Sequence, residues 1–110
     1  MAYDDELADR VRELLAGESG VTEQRMFGGL AFLLNGNMAL AVSRQGGILV
    51  RVDPEDVDRL LASSRAEAAV MGGRTMRGWL RVHATRLRTI ELARWVSRGV
   101  EFAKSLPGKD

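Results

Sequence analysis

From Asp4 to Ala16 the apolar residues Leu7, Val11, Leu14 and Leu15 recur at helical spacing, with carboxylates (Asp5, Glu6) in the first turn and Gly17 as a stop. This pattern predicts an amphipathic helix. Between Val21 and Val52 the period changes to short apolar stretches, separated by Gly28-Gly29, Asn35-Gly36-Asn37 and Gln45-Gly46-Gly47. Three or four antiparallel strands in a meander are expected. Asn35-Gly36 is its clearest hairpin signal, because a type I′ turn needs two residues that tolerate positive φ. Gly28-Gly29 is read as a turn, a bulge or a close backbone approach between strands.

Asp53-Pro54-Glu55-Asp56 then supplies an N-cap, a proline at the first helical position and carboxylates at the positive end of a helix dipole. Val57, Leu60 and Leu61 give that second helix its apolar stripe. Ser64 and Glu67 stand at the capping-box interval and predict a further short turn of helix ended by Gly72-Gly73. Met76 to His83 reads as one more strand. A last helix runs from about Thr89 to Leu106, with Leu92, Trp95, Val96, Gly99, Phe102, Ala103 and Leu106 on one face and Pro107-Gly108 as its stop. The order α-β-β-β(-β)-α-β-α describes an α+β domain with a single, mostly antiparallel sheet and flanking helices.

Strict alternation sorts the strand residues into two faces. In the meander Leu30, Phe32, Leu34, Met38, Leu40 and Val42 share one side with Ile48, Val50 and Val52. Ala31, Leu33, Ala39, Ala41, Leu49 and Arg51 share the other. With Met76, Gly78, Leu80 and Val82 turned to the core, the last strand sends Arg77, Trp79, Arg81 and His83 to the opposite face as a basic stripe holding one aromatic. That face carries Leu33, Leu49 and Trp79, more apolar surface than a sheet open to water usually shows, so something is expected to cover it. Two occupants fit: a second copy of the chain, making a homodimer, or a helix of the same chain.

Length and composition narrow the chemistry. The 110 residues carry 16 Lys plus Arg, 15 Asp plus Glu, one histidine, no cysteine and 45% hydrophobic residues, which suits one domain spanning residues 1–110. A chain of this size buries about 60–70% of its unfolded surface, enough for a core that needs no metal or disulfide. Without cysteine there is no thiolate nucleophile, no zinc–thiolate site and no iron–sulfur cluster. His83 is the sole imidazole, and Ser43, Ser63, Ser64, Ser97 and Ser105 fall at turns or helix surfaces, which leaves no nucleophilic triad. The carboxylates Asp53, Glu55, Asp56 and Asp58 are accounted for by a helix start. Neither phosphate-loop pattern, G-x-x-x-x-G-K-[ST] or G-x-G-x-x-G, occurs. The expectation is a protein that is not an enzyme and holds no metal or cofactor. No apolar run approaches the roughly 20 residues that cross a bilayer, and the N-terminus is acidic, so a cytoplasmic location is expected.

The net charge of +1 hides an uneven distribution. Residues 1–64 hold 11 acids and 6 bases, whereas residues 65–110 hold 4 acids and 10 bases. The basic half is either a solvated face beside the acidic first helix or a surface for phosphates or an acidic protein. On the latter reading the Arg77, Trp79, Arg81, His83 stripe would hold phosphates and stack a base, with stacking worth about 1–3 kcal/mol. Aromatics at 5% of the chain make a sparse stacking platform.

Three segments also carry a resemblance. Met26-Phe27-Gly28-Gly29 opens the meander, Val50-Arg51-Val52-Asp53 enters the second helix, and Met71-Gly72-Gly73-Arg74-Thr75-Met76-Arg77-Gly78-Trp79 leads into the last strand. In this order they resemble the TfoX/Sxy N-terminal domain family, over nearly the whole chain from the first helix to Trp95-Val96. The resemblance implies a sheet with helices packed on it, and a family whose best-known members act in competence as transcriptional coactivators beside a catabolite-activator protein. Those regulators carry a second, C-terminal helical domain, and this chain stops at Asp110, so a stand-alone N-terminal domain is expected. The implied role is a non-enzymatic regulatory module with a protein partner such as a transcription factor. The alternative is a small nucleic-acid binder using the basic strand face.

Overall fold

The computed structural model describes residues 3–26, 28–83 and 87–108, so Phe27 of the first resemblance segment and both chain ends fall outside the described residues. Helix α1 spans Asp5–Leu15, and strands β1 (Val21–Met26), β2 (Gly29–Leu34), β3 (Asn37–Val42) and β4 (Ile48–Arg51) follow. A short 3-10 turn (Pro54–Asp56) leads into α2 (Val57–Ser63), then β5 (Glu67–Met71), β6 (Arg74–Val82) and α3 (Thr89–Ser105). The strands form one six-stranded antiparallel sheet in the order β1-β2-β3-β4-β6-β5. The α+β class and the meander of β1–β4 are as the sequence predicts. The short helical turn expected after Ser64 is instead β5. Ser64 does not cap a helix there: its Oγ donates to the Leu60 carbonyl (2.6 Å) and accepts from Ala66 N–H (3.2 Å), closing α2 and turning the chain out.

Local chemistry explains the element ends. Asp4 caps α1 by accepting from Leu7 N–H at 3.1 Å, and Asp53 accepts from Glu55 N–H at 2.9 Å at the proline-led 3-10 turn. The β2–β3 hairpin turns on Asn35 and Gly36, with φ of 50° and 84°, the conformation a type I′ turn demands. Gly29 marks a close backbone approach, since a Cβ there would stand 2.5 Å from the Val42 carbonyl oxygen.

Among the described residues the three helices all lie on one side of the sheet. α3 crosses β2, β3 and β4 and carries α1 on its flank, while α2 and its 3-10 turn sit beside β6. The core is the seam between α3 and the sheet: Phe32, Leu40, Ile48, Val50 and Leu80 are at most 1% exposed, and Leu92, Trp95 and Val96 answer them from the helix. Each such side chain contributes about 1.5–3 kcal/mol on burial. Gly99 is a point of close contact, because a Cβ there would fall 2.6 Å from the Ala39 carbonyl oxygen.

Two irregularities depart from strict alternation, and both correct the expected faces. The β2–β3 register passes from Phe32↔Leu40 to Leu33↔Met38, leaving Ala39 as an extra residue in a bulge. Ala39 therefore joins the core at 0% exposure, and Met38, expected inward, faces the other side. On β6 the register with β5 runs from Ala68↔Leu80 to Val70↔Thr75, which sets Ala69 alone against Met76, Arg77, Gly78 and Trp79. Gly78 takes a φ of 84°, a value that L side chains rarely adopt, and its carbonyl accepts from Val52 N–H at 2.8 Å. The strand bends there, and Met76, also expected in the core, is 37% exposed.

Candidate functional site

Because the helices share one side, the other side of the sheet carries no helix among the described residues. It is concave. Met26 on β1 at one edge and Val70 on β5 at the other line the same cavity, of about 670 Å³, so the sheet curls into a trough. The floor is made of small or flat-lying groups: Ala31 and Ala41 face each other across β2 and β3, and Leu49 is the β4 neighbour of Ala41. Met38, Met76 and Trp79 rise around it. Methionine thioethers are flexible and polarizable, which suits a wall that adapts to what it touches.

One end of the trough is polar. Arg81 Nη2 donates to Gln45 Oε1 at 2.9 Å and Nη1 donates to the Gly46 carbonyl at 3.3 Å, which holds the guanidinium against the β3–β4 turn. Arg44, exposed on that turn, lines the same end. No carboxylate lines the trough among the described residues. Glu67, opposite Arg81 in the register, sends its Oε2 to within 3.4 Å of His83 Nε2 instead. Beyond the trough, the Arg51 guanidinium lies between the rings of Trp79 and Phe102, 5.9 and 5.3 Å from their centroids.

The four residues of the expected basic stripe are thus divided. Trp79 and Arg81 share the trough. Arg77 precedes the Gly78 bend, is exposed and does not line the trough, and His83, just past the end of β6, sits exposed beside Glu67 of the edge strand β5. Met26, Met38, Met76 and Arg44 complete the site and were not singled out by their pattern. For Met38 and Met76 the signal was obscured by the two irregularities; for Arg44 nothing in a turn sequence marks it.

A second, polar cavity of about 340 Å³ separates the 3-10 turn and α2 from α3. Four of its charged groups are engaged locally: Asp53 accepts from Glu55 N–H, Asp56 pairs with Arg59 at 3.3 Å, and the Arg98 guanidinium stacks 4.6 Å from the Trp95 ring. Among the described residues the shifted titrations lie away from both cavities. Arg12 donates to Glu23 through Nε and Nη2, both at 2.8 Å, which lowers the Glu23 carboxyl below its ordinary range and raises the guanidinium. Among the described residues no group of three His, Asp or Glu side chains could hold a metal, and no helix is long and apolar enough to cross a membrane.

The fold and the trough define the class: a small α+β module that covers one face of an antiparallel sheet with helices and presents the other as a concave apolar surface. The family model of the TfoX N-terminal domain matches residues 13–103, most of the chain, and the protein belongs to that family. No curated protein and no solved structure matches the chain.

Proposed function

We propose that the protein is a non-enzymatic regulatory module that acts by docking a protein partner on the open face of its sheet, in the manner of a transcriptional regulator or coactivator. Membership of the TfoX N-terminal domain family supports the regulatory class. The observation that carries the docking role is the placement of Leu33, Leu49 and Trp79, half-buried on the side away from every helix. Apolar surface left in this form on a folded domain marks an interaction site more often than it marks solvent-facing wall.

Co-purification of the tagged protein from its native host, with and without nuclease, tests the reading. The expected result is nuclease-resistant recovery of a transcription factor or polymerase subunit, lost in Leu49→Glu, which puts a charge on the floor of the trough. Recovery that nuclease abolishes, falls steeply with salt and requires Trp79 and Arg81 would favour the nucleic-acid reading instead. Identical recovery from wild type and Leu49→Glu would overturn docking on this face.

A further inference from the structure

The trough has the form of a cavity. A sheet face meant to receive a flat partner, such as the corresponding face of a second copy, offers large side chains that interdigitate. Here the centre is low, Ala31 against Ala41, and the larger groups stand at the margins, Met38 on one side and Met76 with Trp79 on the other. Its volume, about 670 Å³, lies within the usual range of about 300–1,000 Å³ for small-molecule sites. The charge is one-sided as well. Arg81 is held by two neutral acceptors, Gln45 Oε1 and the Gly46 carbonyl, and makes no ion pair among the described residues, Glu67 across the ladder being turned to His83. Arg44, its stem lying over Gly28, lines the same end of the trough with no ion pair among the described residues. Apolar walls, a shallow apolar floor and a pre-positioned cationic end describe the complement of one kind of molecule.

We propose that the trough binds a small amphipathic carboxylate, its anionic head at Arg81 and Arg44 and its apolar body along Met38, Met76 and Trp79. The proposal deepens the regulatory reading and rests on it only for its purpose: an occupied trough is closed to a partner, so the ligand sets whether the face is available. The binding itself needs no partner, and the two readings fail separately. A guanidinium and a carboxylate make charge-assisted, bidentate hydrogen bonds, which an alcohol or an ammonium of the same length cannot reproduce.

The test uses the purified chain and three probes of equal length, decanoate, decanol and decylammonium, the two ions kept below their micellar concentrations and the alcohol below its solubility limit. Binding is read by calorimetry and by the methyl signals of isotope-labelled methionine. Decanoate is expected to bind saturably at one site and to shift the signals of Met26, Met38 and Met76. Arg44→Gln is expected to weaken decanoate by about tenfold while leaving the circular dichroism spectrum and decanol binding unchanged. Arg81→Gln should weaken it at least as far, but it also cuts the ties to the β3–β4 turn, so Arg44→Gln decides. Equal binding of all three probes, absence of saturable decanoate binding, or no effect of Arg44→Gln would overturn the proposal. Methyl shifts that follow protein concentration and not the probe, with a matching dimer in sedimentation, would overturn it in favour of an interface between copies.

Discussion

Gly99→Ala isolates the contact on which α3 is seated. The added Cβ would lie 2.6 Å from the carbonyl oxygen of Ala39, 3.2 Å from its carbonyl carbon and 3.3 Å from Val50 Cγ1. Ordinary contact begins near 3.4 Å, so helix and strand must part by about 0.8 Å, and the obstacle is backbone that cannot rotate away. Two effects compete. Alanine is a better helix former than glycine by about 1 kcal/mol, which favours the variant. Overpacking a seam of this kind costs about 1–3 kcal/mol, and a gap of 0.5–1 Å forfeits about a quarter to a half of each neighbouring dispersion contact. Leu92, Trp95 and Val96 lose contacts together because they sit on the same rigid helix. The overpacking dominates, and a net destabilisation of about 2 kcal/mol is expected, a fall in melting temperature of about 10 °C for a domain of this size. Thermal and urea unfolding followed by circular dichroism would read it, with Gly17→Ala as control, since a Cβ there meets nothing within 4 Å. A Gly99→Ala protein as stable as wild type or more so would refute the packing of α3 on β3.

Two further substitutions probe polar contacts. Glu23→Gln removes the paired carboxylate from Arg12; both side chains are more than a third exposed, so the loss at neutral pH should be below about 1 kcal/mol. The folded pKa of Glu23 is lowered by that hydrogen bond, so its contribution is complete above the ordinary glutamate range and disappears as pH falls through the folded value. Urea midpoints of wild type and variant should therefore converge in acid, and a gap that persists there would contradict the pairing. Asn37, 2% exposed, donates from Nδ2 to the Pro107 carbonyl at 2.8 Å. Asn37→Asp turns a carboxylate oxygen toward that carbonyl and should cost about 3 kcal/mol at neutral pH, against about 1–2 for Asn37→Ala, with part of the Asp deficit recovered when acid restores a donor. Equal losses in the two variants, measured by chemical denaturation, would show that no such hydrogen bond constrains the C-terminal segment.

The periodic parts of the fold were legible because one force dominates each of them. Leu7, Val11 and Leu15 repeat at the helical interval and all are buried in α1, and the Leu30-Phe32-Leu34 run alternates as a strand with one face in the core. From Ser64 to Met71 the local signals, a capping-box interval and the Gly72-Gly73 stop, favour helix, whereas pairing with β6 decides the matter. That pairing joins residues such as Glu67 and Arg81, which no local window contains. At the candidate site the chemistry of Trp79 and Arg81 was visible, but the company they keep was not.

The hidden step is the same at both places. A surplus residue in a strand inverts alternation beyond it, and composition alone does not announce where the surplus falls. At Ala39 the surplus lets β3 offer a small residue to α3 and turn Met38 the other way, so the close approach at Gly99 and one wall of the trough have a common origin. At Met76–Trp79 the surplus and the positive φ of Gly78 bend β6, which brings Met76 and Val70 around to the same cavity as Met26 on the far edge. Twisted strands without these insertions would leave the second face broad and shallow. The residues that defeat a strict reading of the pattern are therefore the ones that convert a sheet face into a concave site.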